Sequence, residues 1–316
     1  MRHSFLKAIF SIASLYSLAA LPARAVSPDP RILSLVSPRT QILSGMRATQ
    51  SKPLPNSLLM ITSKSKLDLE DFIAVSGVDS LRSIHEVLLE STPGDRSPLI
   101  THSLLASGRF DRERIYRSAI SNGAALGAYR GIDLVVLEPF PRERQELDEV
   151  RWLAILDGDV ALFGMIPDVE AELDRYLSRS SAETIFATRL ARLKKDDENW
   201  SMLLASGGDA QTPDALKLIR PTLPGFIPLG GTLEFGFHFT SSIELDYDVS
   251  VSSEAGVQTA VQTLPGSISS SFLATSACSP SDSSAHGAIK ISREQYVAWL
   301  AEVAARKEAR KGSGNG

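Results

Sequence analysis

The chain has 316 residues, 43% of them hydrophobic and 22% charged, with a formal net charge of −4 at pH 7 and a single cysteine. A net acidic balance argues against general binding to nucleic acid, and one cysteine excludes a disulfide within the chain. The length suffices for one large or two ordinary domains with a real core.

In the first 25 residues, Arg2 and Lys7 precede an apolar run from Ala8 to Leu21, which closes on Ala23-Arg24-Ala25. This is the pattern of a secretory signal peptide cut after Ala25. The run is shorter than the roughly 18 to 20 residues that a helix needs to cross a bilayer. No Cys follows it, and His3 after Arg2 removes the twin-arginine signal. The expectation is a soluble periplasmic or extracellular protein with no stable membrane span. Cleavage of 25 from 316 residues leaves 291, and loss of Arg2, Lys7 and Arg24 takes the 33 basic residues to 30 against 37 acidic ones.

Residues 26–38, VSPDPRILSLVSP, hold three prolines among small and polar residues and read as a linker. A first unit then covers 39–195. Gln41 to Met46 is strand-like, Leu67, Phe72 and Ile73 share one side of a helix starting near Ser65, and Ile84 to Leu89 is a second strand. Leu99 to Gly108 is a third strand, and Asp111 caps a helix with the stripe Ile115, Ala119 and Ile120. After the β-rich run IDLVVLEP, Trp152 to Met165 reads as a hairpin turning through Asp157-Gly158. Its two arms are apolar at nearly every position, so both faces of these strands should be covered. A helix follows at Pro167 to Leu177, with Val169, Leu173, Tyr176 and Leu177 on one face. Ser180 and Glu183 fit a capping box for a short helix with Ile185, Phe186, Leu190 and Leu193 apolar.

The pattern restarts over 196–305. Trp200 to Gly207 is a strand, Pro213 to Ile219 a short helix, and Thr232 to Phe239 with Ile243 to Val251 a strand pair. Ser253 caps a helix with Val257, Ala260, Val261 and Leu264 at helical spacing. His286 to Ile291 is a last strand, and Ser292 with Gln295 boxes a helix whose face is Trp299, Leu300 and Val303. STPGDR at 91–96 and SACSPSDSS at 276–284 are soft spots, the second an exposed loop. Residues 306–316 form a flexible tail, and Arg306, Lys307, Arg310 and Lys311 are favourable charges at a helix end.

The five residues LLASG close the first strand of both units, at Leu104 to Gly108 and Leu203 to Gly207. With the shared element order this reads as an internal repeat. The fold class is α+β: antiparallel sheets with helices on one face, as two ferredoxin-like (split βαβ) units in tandem.

Motifs for common chemistries are absent: no nucleophile elbow, phosphate loop, zinc helix or dinucleotide turn. No cofactor is implied. Cys278 lies in a Ser-rich stretch with only His286 near it in sequence, and an inert thiol is the plainer reading. His85 and His102 lie within strands and read as structural, while a hairpin turn accounts for Asp157 and Asp159 without a cation.

One stretch, TLEFGFHFTSSIELDYDVSV, offers more. Period-two alternation and a three-residue loop set Phe239 opposite Ile243, which places His238 against Glu244, Gly236 against Asp246, and Glu234 against Asp248. Glu234, His238, Glu244, Asp246 and Asp248 then line one face. Like charges placed opposite one another need neutralising. Water does this on an exposed outer face, which is the expectation; a divalent cation or a basic partner is the sharper alternative.

The stretches DFIAVSGVDSLRSIHEVLLES, LLASGRFDRERI, YRGIDLVVLE and LAILDGDVALFGMIPDVEAELDRYL together resemble a group of exported bacterial proteins of unknown function with duplicated ferredoxin-like units, over roughly residues 39–206. The resemblance implies export and fold, and carries no catalytic residue. The function expected is a non-catalytic binding or interaction module with an envelope protein partner. The alternatives are a hydrolase, metal-dependent or not, using the acidic face around His238, and a membrane-tethered assembly subunit with an uncleaved N-terminus.

Overall fold

The structure is a computed structural model that describes residues 27–47, 71–77, 83–92, 101–137, 150–180, 183–190, 199–203, 231–239, 242–251, 257–258, 261–262, 276–281, 284–292, 294–295 and 298. Several expectations fall outside them: the leader over 1–25, the helix start near Ser65, the second LLASG beyond Leu203, the helix at 213–219, the cap at Ser253 and the tail. No helix among the described residues is long and apolar enough to cross a membrane.

Helix α1 is Pro30–Leu33, followed by strands β1 Ile42–Arg47, β2 Ile84–Thr92 and β3 Thr101–Gly108, with a helix α2 at 71–76 between β1 and β2. Helix α3, Arg112–Ser121, leads to β4 Ala125–Tyr129, β5 Ile132–Leu137, β6 Arg151–Leu156 and β7 Val160–Met165. Then come α4 Ile166–Ser178, α5 Glu183–Leu190, β8 Asn199–Leu203, β9 Gly231–Phe239, β10 Ser242–Val251, β11 Ser276–Ser281 and β12 Ser284–Ser292.

The described strands form one sheet of twelve, in the order β11-β12-β10-β9-β8-β1-β2-β3-β7-β6-β5-β4. Every neighbouring pair is antiparallel. The protein is thus mixed α+β and mostly antiparallel. β8 and β3, the strands that begin or carry LLASG, flank the central β1–β2 pair on either side. Because neighbours alternate in direction, β3 and β4, joined through α3, run parallel with three strands between them. β10 and β11 run parallel with β12 alone between them.

Helices cover both faces of the sheet, which corrects the expectation of one covered face. Leu88, Leu105, Leu162, Ala154 and Leu134 pack with Ile32 and Val36, with Val169 and Leu173 of α4, and with Phe186 and Leu190 of α5. Val87, Ala106, Ala161 and Ile155, on the opposite face by period two, pack with Phe72 and Val75 of α2 and with Ile115, Tyr116 and Ala119 of α3. The cause lies in β6 and β7, whose apolar side chains point both ways and need cover on each side. Burial at about 25 cal/mol per Å² favours cover on both.

Local details follow the sequence closely. Asp111 accepts the Arg114 N–H at 3.0 Å and starts α3. Asp157 and Gly158 both have positive φ, 51° and 75°, and the Asp159 N–H donates to Leu156 at 3.1 Å, so the expected primed turn is present. Ser292 and Gln295 form a reciprocal capping box at 2.8 and 3.1 Å. Tyr116 replaces a ladder bond between β5 and β6: its hydroxyl donates to the Asp133 carbonyl at 2.8 Å and accepts from the Ile155 N–H at 3.1 Å.

Other expectations change. Residues 26–38, expected as a linker, hold α1, and Ile32, Leu33, Leu35 and Val36 are buried. Prolines there start a helix: Asp29 accepts the Arg31 N–H at 3.0 Å and Pro30 takes the first helical position. Within SACSPSDSS, Ser276–Ser281 is an edge strand among the described strands, β11 paired to β12, and Pro280 needs no ladder donor at an edge. Ile120 and Leu177, expected within apolar stripes, are 41% and 44% exposed.

Candidate functional site

The β9–β10 register is the one expected, with Glu244 against His238, Asp246 against Gly236 and Asp248 against Glu234. β12 extends it, setting Lys290 opposite Glu244, Ala288 opposite Asp246 and His286 opposite Asp248. The five residues therefore share one face. That face is not the wet outer surface expected: Glu234 is fully enclosed, and Asp246 and Asp248 are 3% and 8% exposed. The row of Cα partners explains why, since Glu234 is opposite Met202 of β8, Met202 opposite Leu43 of β1, and Leu43 opposite Glu90 of β2. This is the face that α1, α4 and α5 cover.

Buried carboxylates need partners. Arg189 of α5 sits 3.3 Å from Glu234 Oε1, and Thr232 Oγ1 lies at 3.3 Å from the same oxygen. Ser284 Oγ donates to Asp248 at 3.1 Å, with His286 Nδ1 3.9 Å from the same carboxylate oxygen. Lys290 reaches Glu244 at 2.9 Å nearer solvent. His238 is half-buried, and His85 is exposed on β2. Among the described residues no group of three His, Cys, Asp or Glu side chains is placed to hold a metal ion. The row therefore joins sheet to helix and strand to strand. The side chains of Cys278 and His102 lie outside the described residues.

A second acidic group on the same face was not foreseen. Glu86 and Glu90 of β2 point inward, and Glu86 Oε2 accepts the Asp29 N–H at 2.7 Å. Glu90 Oε2 accepts the Ser37 N–H at 2.9 Å and the Thr40 hydroxyl at 3.2 Å. Arg175 of α4 donates to the Leu35 carbonyl at 2.6 Å. Two carboxylates and one guanidinium thus hold residues 29–40 against the sheet. Burial pushes Glu86 and Glu90 up, opposed by the same N–H donors and by Arg47 and Arg175 respectively. Glu172 of α4 is raised well above the carboxylate range, first by burial and then by Glu90. Neither Glu172 oxygen has a hydrogen-bond partner among the described residues, and Ser103 is near enough to favour the charge without forming a bond of good geometry. The sequence signal was the spacing of Glu86 and Glu90 on one strand face and of Asp168, Glu172 and Arg175 on one helix face.

Asp157 and Asp159 also serve the fold: Asp157 accepts the Tyr176 hydroxyl at 2.5 Å, and Asp159 pairs with Arg31 at 2.9 Å.

The two edges of the sheet formed by the described strands differ. β11 carries Pro280, a residue that blunts an edge. β4, ALGAY, carries neither charge nor proline, and its Leu126 is 63% exposed. Comparison with family models, with curated proteins and with solved structures finds no match to this chain.

Proposed function

We propose that the chain is an exported, non-catalytic binding or interaction protein, cleaved after Ala25, that contacts an envelope partner through the β4 edge. The reading extends to architecture, with the two halves of the sheet as diverged tandem units of ferredoxin-like, split βαβ type. In support of that, β10 and β11 are joined as a split crossover, and the LLASG strands β3 and β8 take corresponding places about the centre. The observation that carries the function is Leu126, a large apolar side chain exposed on an edge strand without charge or proline. Such an edge offers unpaired N–H and C=O groups beside apolar surface, the chemistry of strand addition.

The acidic face supports the same side of the choice. Glu234 and Asp248 are enclosed and already bonded to Arg189, Thr232 and Ser284. Hydrolysis around His238 would need these groups open to a substrate.

A photo-crosslinking amino acid placed at position 126 in the exported chain tests the reading, with the exposed position 85 as control. The expected result is one discrete adduct from 126 and none from 85. No adduct from 126 would overturn it.

A further inference from the structure

The partner of this edge is open to inference, and the geometry points to a second copy of the chain, paired through β4 in antiparallel register about Gly127. This rests on the interaction reading above and adds the identity of the partner.

Arg130 and Gly131, at φ 47° and 85°, make a two-residue primed turn between Tyr129 and Ile132. In that turn Tyr129 and Ile132 form a bonded pair, and bonded pairs alternate along an antiparallel ladder. Tyr129, Gly127 and Ala125 therefore bond to β5. Leu126 and Ala128 turn their N–H and C=O groups outward.

When two copies of β4 meet with Gly127 opposite Gly127, Leu126 of each lies opposite Ala128 of the other. All four outward residues are then used, and each pair exchanges two hydrogen bonds. Ala125 faces Tyr129 and Leu126 faces Ala128, so large meets small on either side of the central Gly127 pair. No charge lies opposite a like charge, since ALGAY has none and Arg130 falls opposite Ala124. A two-fold contact needs a surface complementary to itself, and this strand is one.

The surroundings match. The large hydrophobic side chains that are exposed among the described residues are Ile120, Leu126 and Leu177. Leu126 lies on the face of α3, which carries Ile120, because its partner Val135 belongs to that core. Leu177 belongs to α4 on the other face, and Asp174 of that helix pairs with Arg130 at the end of β4 at 3.3 Å. Each face of the sheet thus carries a helix with an exposed apolar side chain, Ile120 on one and Leu177 on the other. The opposite edge, with Pro280, lacks this character.

A contact confined to this edge falls at the small end of specific interfaces, below about 1,200 Å². Light scattering on the exported chain over a concentration series is therefore the test, together with Leu126→Lys and Ala128→Pro. The expected result is a mass rising to that of two chains, and the mass of one chain in both variants with an unchanged circular dichroism spectrum. Leu126→Lys decides if Ala128→Pro does not fold. A mass of one chain at every concentration overturns the proposal, and so does a doubled mass that persists in Leu126→Lys. A crosslink from position 126 to a different protein would overturn self-pairing while leaving the interaction reading standing.

Discussion

Glu172 on α4 and Glu90 on β2 are enclosed on the same face of the sheet, and the charge of Glu90 adds to burial in holding the Glu172 proton. A carboxyl whose folded pKa lies above its ordinary 4.5 binds a proton more tightly in the folded chain than in the unfolded one. Its contribution to stability is fully present below the unfolded pKa and is lost as pH rises through the folded one. Urea unfolding from pH 4 upward should show stability falling with pH through this group, and Glu172→Gln should flatten the fall. An unchanged slope in Glu172→Gln would show that Glu172 does not carry it.

Residues 29–40 behave as part of the core. Ile32→Ala should cost about 2–4 kcal/mol in equilibrium unfolding, the range for a buried Ile cut to Ala. In a linker the same change would stay within about 0.5 kcal/mol.

Along the acidic row the cost of a substitution should follow enclosure. Arg189→Met leaves the enclosed Glu234 without its guanidinium and should cost about 3 kcal/mol. Glu244→Gln, which breaks the exposed pair with Lys290, should cost less than about 1 kcal/mol. Equal costs would contradict the burial described.

The register of the row was readable because period two and a short loop leave one arrangement that puts the apolar residues together. Its cover was not readable, since that depends on Phe186, Leu190 and Arg189, some fifty residues away. Caps were legible at Asp111 and Ser292 because they act over three residues. Prolines misled twice: Pro30 opens a helix and Pro280 sits on an edge, and the same residue would mark a linker or a loop. Ile120 and Leu177 fitted helical stripes, yet a stripe does not reveal where the packed surface stops.

Gly45 of β1 packs against the indole of Trp200, and a Cβ built there would come within 2.1 Å of the ring atoms. Gly45→Ala should therefore lower stability by about 1–3 kcal/mol, the range for overpacking. The double variant with Trp200→Leu should be less destabilised than the two single costs summed, a coupling that a double-mutant cycle reads directly.

The β4 edge is the centre of the functional account, and amide hydrogen exchange at Leu126 and Ala128 in the purified protein tests it most directly. The account predicts protection of these two amides that grows with protein concentration and vanishes in Leu126→Lys. Exchange as fast as an open edge at every concentration and in the presence of envelope proteins would contradict it.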